Sequence, residues 1–282
     1  MMQLISNMKS NYRIKTGGVK KFQPKFELNF EVGPYLVSTA KNYQDLIQCF
    51  TLRNEIFNKE FRGLHNLKYD CDEFDETCDH ITIYHTDSNK LVGTYRLNST
   101  LYSDKFYTSQ EFKISNLINL YNNTPILELG RACIDKDHRR GIVISLLWKG
   151  IAEYMNLSQS QSLFGCSSVK VTEVRDAALV YQYLFVNGHV DPYYAVRPQK
   201  NYEIKNFGLW FEYFQKNYSE SLAQEASAKI PSLLKSYIKM GAKIIAEPAL
   251  DEDFNCIDLL TLLHRDQLPQ STAKKFGVNK CS

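Results

Sequence analysis

The sequence has no Cys-x-x-Cys pair. Its seven cysteines, at positions 49, 71, 78, 133, 166, 256 and 281, are odd in number. Neither a disulfide framework nor a zinc site is expected, and the reading is reduced thiols in a cytoplasmic protein. No apolar run reaches the roughly 18 residues that span a bilayer. The opening Met1-Met-Gln-Leu-Ile5 lacks the apolar core of a signal peptide. Membrane contact is therefore expected to be peripheral, on the inner face. A net charge of +3 is too small to argue for nucleic acid. There is no internal repeat, no low-complexity segment and no clear linker. The simplest organisation is a basic, flexible tail over residues 1–30 and a single α/β domain over 31–282.

What is present is a hydrophobic fraction of 44%, with 18 tyrosines and 16 phenylalanines. The chain turns on one stretch. Residues 126–134, Ile-Leu-Glu-Leu-Gly-Arg-Ala-Cys-Ile, read as a strand. Residues 135–141 read as a basic turn, and 142–155 as an amphipathic helix. A plain period of two sets Glu128 and Arg131 on opposite faces. Gly130 lies between them and reads as a bulge, which would return both to one face and leave an amide unpaired. Carboxylate, guanidinium and free amide together suit acyl transfer: Glu128 takes a proton and the amide holds an oxyanion. The same spacing is equally that of a buried salt bridge followed by a solvated basic turn.

Elsewhere, strands are expected at 35–40, 81–85, 91–97, 162–169, 242–246 and 254–263. Helices are expected at 44–57, 111–120, 176–186, 222–228 and 231–240, while 190–230 is otherwise poorly periodic. Arg53 reads by default as an exposed salt bridge. The acidic loop 69–80 lacks the glycine of an EF-hand, so no metal is expected there. It reads instead as an acidic rim that draws in a cationic amine, or as an ion-pair network of Arg53, Asp72, Asp75 and Arg96. Cys133 and Cys166 read as small core residues rather than nucleophiles.

Several segments carry a resemblance: Asp72-Glu-Phe-Asp75, Cys78-Asp-His80, Gly93-Thr-Tyr-Arg96, Phe106-Tyr-Thr-Ser-Gln-Glu-Phe112, Leu127-Glu-Leu-Gly-Arg-Ala-Cys133, Leu146-Leu-Trp148, Phe164-Gly-Cys166, the stretch 230–243, and Asp253-Phe-Asn-Cys-Ile-Asp258. Together they resemble the ornithine-lipid N-acyltransferases, a hemolysin-like family of the GNAT superfamily related to acyl-homoserine-lactone synthases. The resemblance implies a GNAT-like mixed sheet flanked by helices, with a bulged central strand. It also implies transfer of a (3-hydroxy)fatty acyl chain from acyl carrier protein to the α-amine of ornithine, giving lyso-ornithine lipid. The donor is a phosphopantetheine thioester, and no cofactor or metal is bound.

The motifs shared with those cousins fall on Arg53 and Phe57, Asp72 and Asp75, Gly93 and Arg96, and Glu128 and Arg131. Glu128 is the expected base, His80 the alternative, and Arg131 the residue that orients Glu128 or binds the acceptor carboxylate. Substrate is expected along Arg53, Asp72, Asp75, Arg96, Leu129, Ala132, Cys133 and Phe164. The phosphopantetheine arm is expected at Arg139, Arg140, Gly141, Ile142 and Val143. Here valine stands where GNAT enzymes place a small residue in the diphosphate cradle, which favours the single phosphate of a carrier protein. Lys136, Arg139, Arg140 and Lys149 form the expected landing patch for that acidic partner. The alternatives are a synthase of N-acyl amino acids or homoserine-lactone-type signals, and a non-catalytic acyl-carrier-binding module.

Overall fold

A computed structural model of the chain describes residues 21–139 and 141–278. The chain separates into two compact units. The first is built from residues up to 105, 127–160 and 273–278; the second from 106–126 and 161–272.

In the first unit, five strands pair in chain order, each antiparallel to the one before: β1 (Asn29–Val32), β2 (Tyr35–Thr39), β3 (Asp79–His85), β4 (Lys90–Ser99) and β5 (Ile126–Ile134). A two-residue turn joins β1 to β2, and its first residue, Gly33, takes φ 57°. Every residue of β4 after Lys90 is buried, because both faces of this strand are covered. One face carries helix Val143–Leu157. That helix lies close because Gly150 has no side chain: a Cβ there would meet Ile81 at 3.1 Å and Val37 at 3.2 Å. The other face carries helix Tyr43–Arg53, whose Leu46, Cys49, Phe50 and Leu52 bury against Ala40, Leu91 and Cys133. Full burial of each large apolar side chain contributes about 1.5–3 kcal/mol.

Three expectations are corrected in this unit. The helix starting near residue 44 does not run unchanged to 57. It is α-helical over Tyr43–Arg53, capped by Asn42, and continues as a wider π-helix over Asn54–Phe61. The packed chain begins before residue 31: Phe22 and Leu28 are buried, and the amides of Lys25 and Phe26 donate to the Asp79 carboxylate. Residues 1–20 of the expected tail lie outside the described residues. Arg53 is wholly buried, not exposed.

In the second unit, β6 (Ser162–Val169) and β9 (Cys256–His264) pair antiparallel along their full lengths, from Ser162↔His264 to Val169↔Ile257. The short β7 (Lys243–Ile244) and β8 (Ala249–Asp251) also pair with β9. Phe106, Phe112, Leu117, Ile126, Phe164 and Leu260 form its core. Helix Phe207–Asn217 escapes a search by periodicity because apolar Leu209 and Tyr213 stand exposed beside the buried Phe207 and Phe214, which blurs the stripe. Among the described residues, no helix is long and apolar enough to cross a membrane.

Candidate active site

The expected bulge in β5 exists, and its geometry is specific. Thr94 pairs with Cys133 and Arg96 with Gly130, so Arg131 and Ala132 together oppose the single residue Tyr95. The extra residue therefore leaves one amide without a rung on the β4 side. The residue that turns is not the glycine. Arg131 takes φ 54°, whereas Gly130 is absent from the positive-φ positions. A side-chain-bearing residue in the left-handed region is uncommon and costs about 1–2 kcal/mol, and such strain is concentrated at functional sites.

The bulge sets the face. Glu128 pairs with Asn98, and Arg96 lies two residues before Asn98 on the same face of β4. Arg131 donates to Asp72 at 3.0 Å, and Arg96 donates to the same carboxylate at 2.6 Å. Glu128, Arg96 and Arg131 thus look out on one side of the sheet. Glu128 is 4% exposed.

Around them stands a closed set of charges. Arg53 grips Asp75 with both terminal nitrogens, at 2.7 and 3.1 Å, and donates Nε to Asp70 at 2.8 Å. Arg96 also reaches Asp75, at 3.1 Å, and Arg131 approaches Asp70 at 3.7 Å. Three arginines therefore face three aspartates. Burial alone pushes the Asp75 carboxyl up, but Arg53 and then Arg96 outweigh it and hold it well below the usual carboxylate range. Asp72 is lowered in the same way, with Arg96 and Arg131 overcoming its burial. The Asp72 side chain also caps the short turn of helix that begins at Glu73. The acidic loop is thus built into an ion-pair network. Asp75, buried with both oxygens bonded to guanidinium groups, has no side left to meet an acceptor amine.

His80 lies opposite Arg96 on β3, wholly buried and edge-on to Phe50 at 5.9 Å between ring centres. Its Nε2 stands 3.5 Å from Asp75. Burial pushes its pKa down to about 3, more than Asp75 can raise it. A ring so enclosed and so weakly basic is poorly suited to collect a proton from substrate.

Of the expected substrate-facing residues, Leu129 and Ala132 are half-buried beside the bulge. Cys133 and Phe164 fall in the cores of the first and second units. Burial lifts the Cys133 thiol well above its ordinary pKa, which argues against a thiolate nucleophile. The six cysteines described are all free.

After β5 the basic turn forms a short 3-10 segment over Lys136–His138 and leads into helix Val143–Leu157, whose N-terminus has no side-chain cap. Its first amides are therefore open to an anion. Gly141 takes φ 146° and Ile142 is exposed. Val143 corrects the steric argument drawn from it. Its side chain is buried, and a Cβ on Gly93 would sit 2.9 Å from its Cγ1, so it packs inward and does not screen the cradle. Arg139 is held by Glu60 through two hydrogen bonds of 2.6 Å. No local pattern signals that partner, 79 positions away. Arg140 lies outside the described residues. Lys149 sits over the Phe30 ring at 4.9 Å.

A kinked antiparallel strand presenting a carboxylate, followed by a helix without a side-chain cap, is an arrangement suited to acyl transfer. Residues 52–149 match the family described as acetyltransferase (GNAT) domain. The chain is an acyltransferase, and its resemblance to the ornithine-lipid enzymes holds against named relatives. It is similar to L-ornithine N(alpha)-acyltransferase of Brucella abortus, 26% identical over 218 residues, covering 74% of this chain and 75% of that one. It is likewise similar to L-ornithine N(alpha)-acyltransferase of Rhodobacter capsulatus, 27% identical over 246 residues, covering 81% of this chain and 89% of that one. Among solved structures, a CoA-dependent acyl-homoserine lactone synthase aligns with TM-score 0.44 and 15% identity, covering 84% of this chain and 85% of that one.

Proposed function

We propose that the chain moves a (3-hydroxy)fatty acyl group from acyl carrier protein to the α-amine of ornithine, giving lyso-ornithine lipid. The acceptor is supported by relatives of that name which cover about three quarters of the chain. The chemistry is supported by one observation above all: the bulge at Arg131 that turns Glu128, Arg96 and Arg131 to the same face.

Glu128 takes a proton from the acceptor ammonium, directly or through a water. The freed amine attacks the thioester carbonyl. The oxyanion so formed is held by amides of the bulge between Leu129 and Ala132. Collapse breaks the carbon–sulfur bond and expels the pantetheine thiolate, which takes the surplus proton of the attacking nitrogen and leaves as the thiol, and the amide is complete. Arg131, fixed by Asp72, supplies positive charge for the acceptor carboxylate. The pantetheine phosphate sits at the N-terminus of helix Val143–Leu157 beside Gly141 and Ile142. The acidic carrier rests on Lys136, Arg139 and Lys149. The catalytic chain, from about Phe22 onward, works in the cytoplasm and touches the inner membrane where the lipid product leaves.

Purified chain incubated with 3-hydroxyacyl carrier protein, or with the matching coenzyme A ester, and a panel of amino acids tests this by product mass. The expected product is N-acyl ornithine from the carrier-borne donor. An acyl adduct of another amine overturns the acceptor, and equal or better turnover of the coenzyme A ester overturns the donor. Glu128→Gln is expected to lower kcat by about 10²–10⁴-fold, as loss of a general base does. Full turnover in that variant removes Glu128 from the chemistry.

A further inference from the structure

Two of the segments that carry the family resemblance play no part in the site above: Phe106–Phe112 and Asp253–Asp258. They meet within the second unit. The hairpin of β8 and β9 pairs Asp251 directly with Cys256, across a turn in which Asn255 takes φ 50°. Asp258 lies two residues on from Cys256 and so shares its face of β9. One ligand atom from each of Asp251, Cys256 and Asp258 lies within 4.8 Å of the others. All three side chains belong to buried residues.

Glu111 closes the group. It ends the helical turn Thr108–Glu111, and its backbone oxygen is fixed by the amide of Gln199 at 2.6 Å. It is 1% exposed, and neither carboxyl oxygen accepts a hydrogen bond of ordinary geometry. After burial itself, the charges acting most strongly on Glu111 are Asp258 and Asp251. Those acting on the Cys256 thiol are Asp258, Asp251 and Glu111. The Glu111 carboxyl is therefore held in the dry space near the other three, with Cys166 and Tyr107 close enough to draw its pKa down but no hydrogen bond of ordinary geometry to either. Three buried carboxylates crowding a thiol are repulsive unless protons or a cation neutralise them.

We propose that Glu111, Asp251, Cys256 and Asp258 bind a zinc ion that fastens the β8–β9 hairpin to helix Thr108–Glu111. Tetrahedral zinc sets oxygen and sulfur ligands about 3.3–3.5 Å apart, so Asp251, Cys256 and Asp258 draw in from their spacing within 4.8 Å and Glu111 turns in to complete the shell. Calcium and magnesium take shells of oxygen, whereas a thiolate among carboxylates suits zinc. Ser168 donates to one Asp258 oxygen at 2.7 Å, the kind of outer hydrogen bond that orients a ligand, and the Cys256 thiol approaches the other at 4.0 Å, a contact the metal would replace once the thiol proton is released. Binding releases the thiol proton. The proposal does not depend on the reading of Glu128.

Metal analysis of the full chain purified without chelator is expected to find about one zinc per chain. Replacement by Co²⁺ is expected to give visible bands together with a thiolate-to-metal charge-transfer band. Cys256→Ser should abolish the charge-transfer band. Asp258→Asn and Glu111→Gln should weaken zinc at least tenfold, and zinc should raise the thermal midpoint of the parent chain but not of these variants. A chain that retains no zinc and takes up no Co²⁺, or a Co²⁺ spectrum indifferent to Cys256→Ser, overturns the proposal. If Asp258→Asn fails to fold, the Cys256→Ser spectrum alone decides it.

Discussion

The molecule buries two clusters of charge and resolves them in opposite ways. In the first unit, Arg53, Arg96 and Arg131 are matched by Asp70, Asp72 and Asp75, and the guanidinium groups pull Asp72 and Asp75 down against the effect of burial. In the second, Glu111, Asp251, Asp258 and Cys256 mainly repel one another, and burial and repulsion together push Glu111 and Cys256 up. Equal burial thus has opposite electrostatic consequences, decided by whether the counter-charge comes from the chain itself. The first cluster is complete as it stands and braces a strained strand. The second is neutralised by protons or by the proposed zinc, not by a cation of its own set.

The strongest break in this comparison is to remove one partner from each cluster. Arg53→Met leaves Asp70 and Asp75 buried with much of their compensation gone, and about 3–5 kcal/mol of stability should be lost in urea unfolding. Glu111→Gln in chelator-treated protein should do the reverse and stabilise the chain at pH 7.5, because burial and then the neighbouring Asp258 and Asp251 penalise the charged carboxylate. The sign follows from its raised pKa: the stability that Glu111 contributes is present below its unfolded value of 4.5 and is lost as pH rises through the folded one. At pH 4 the Glu111→Gln gain should vanish. If both substitutions destabilise equally at pH 7.5, the contrast between the clusters is wrong.

His80 gives the next largest effect. Its folded pKa, about 3, lies below the ordinary 6.5. The unfolded chain therefore binds the proton first, and stability falls as pH drops from about 6.5 towards 3, by up to about 1.4 kcal/mol per pH unit. His189 and His264 are lowered too and act in the same direction, so the test is a difference. His80→Gln should flatten the slope of stability between pH 6.5 and 4.5 by close to one proton. Asp72 and Asp75, also lowered, add to the loss only below about 3.8. An unchanged slope would mean that His80 is not held neutral by its burial.

The two clusters also mark what could and could not be read from the sequence. The strands at 126–134 and 162–169 were legible to the residue, because each is an apolar run with clear bounds. The pairing of Arg53 and Arg96 with Asp75 was legible as one of two readings, since charged residues amid apolar neighbours must find partners. The role of Glu60 in holding Arg139 was not, because nothing local links positions 79 apart. Glu111, Asp251, Cys256 and Asp258 were likewise invisible. No short motif links Glu111 to the hairpin, and Asp251, Cys256 and Asp258 are drawn together only by the pairing of β8 with β9. The inward turn of Val143 escaped for a related reason: which way a residue at a helix start points depends on the sheet beneath it, and that sheet offers Gly93.

The smallest effect tests the bulge itself. Sequence alone points to Gly130 as the source of the unusual backbone, yet the positive φ belongs to Arg131. At that position glycine is free of the left-handed penalty, while alanine carries it without the ion pair to Asp72 or the contact of the guanidinium with Phe57 at 5.9 Å. Arg131→Ala and Arg131→Gly lose the same charge interactions and differ only in backbone. Arg131→Gly should therefore be the more stable of the two by about 1 kcal/mol. In contrast, Gly130→Ala should change stability little through strain, since an added Cβ would meet only Arg96, at 3.8 Å. Unfolding midpoints of the three variants separate the cases. Should Gly130→Ala prove the damaging one and the two Arg131 variants coincide, the kink would belong to the glycine after all, and the strand that presents Glu128 would be held by a different residue.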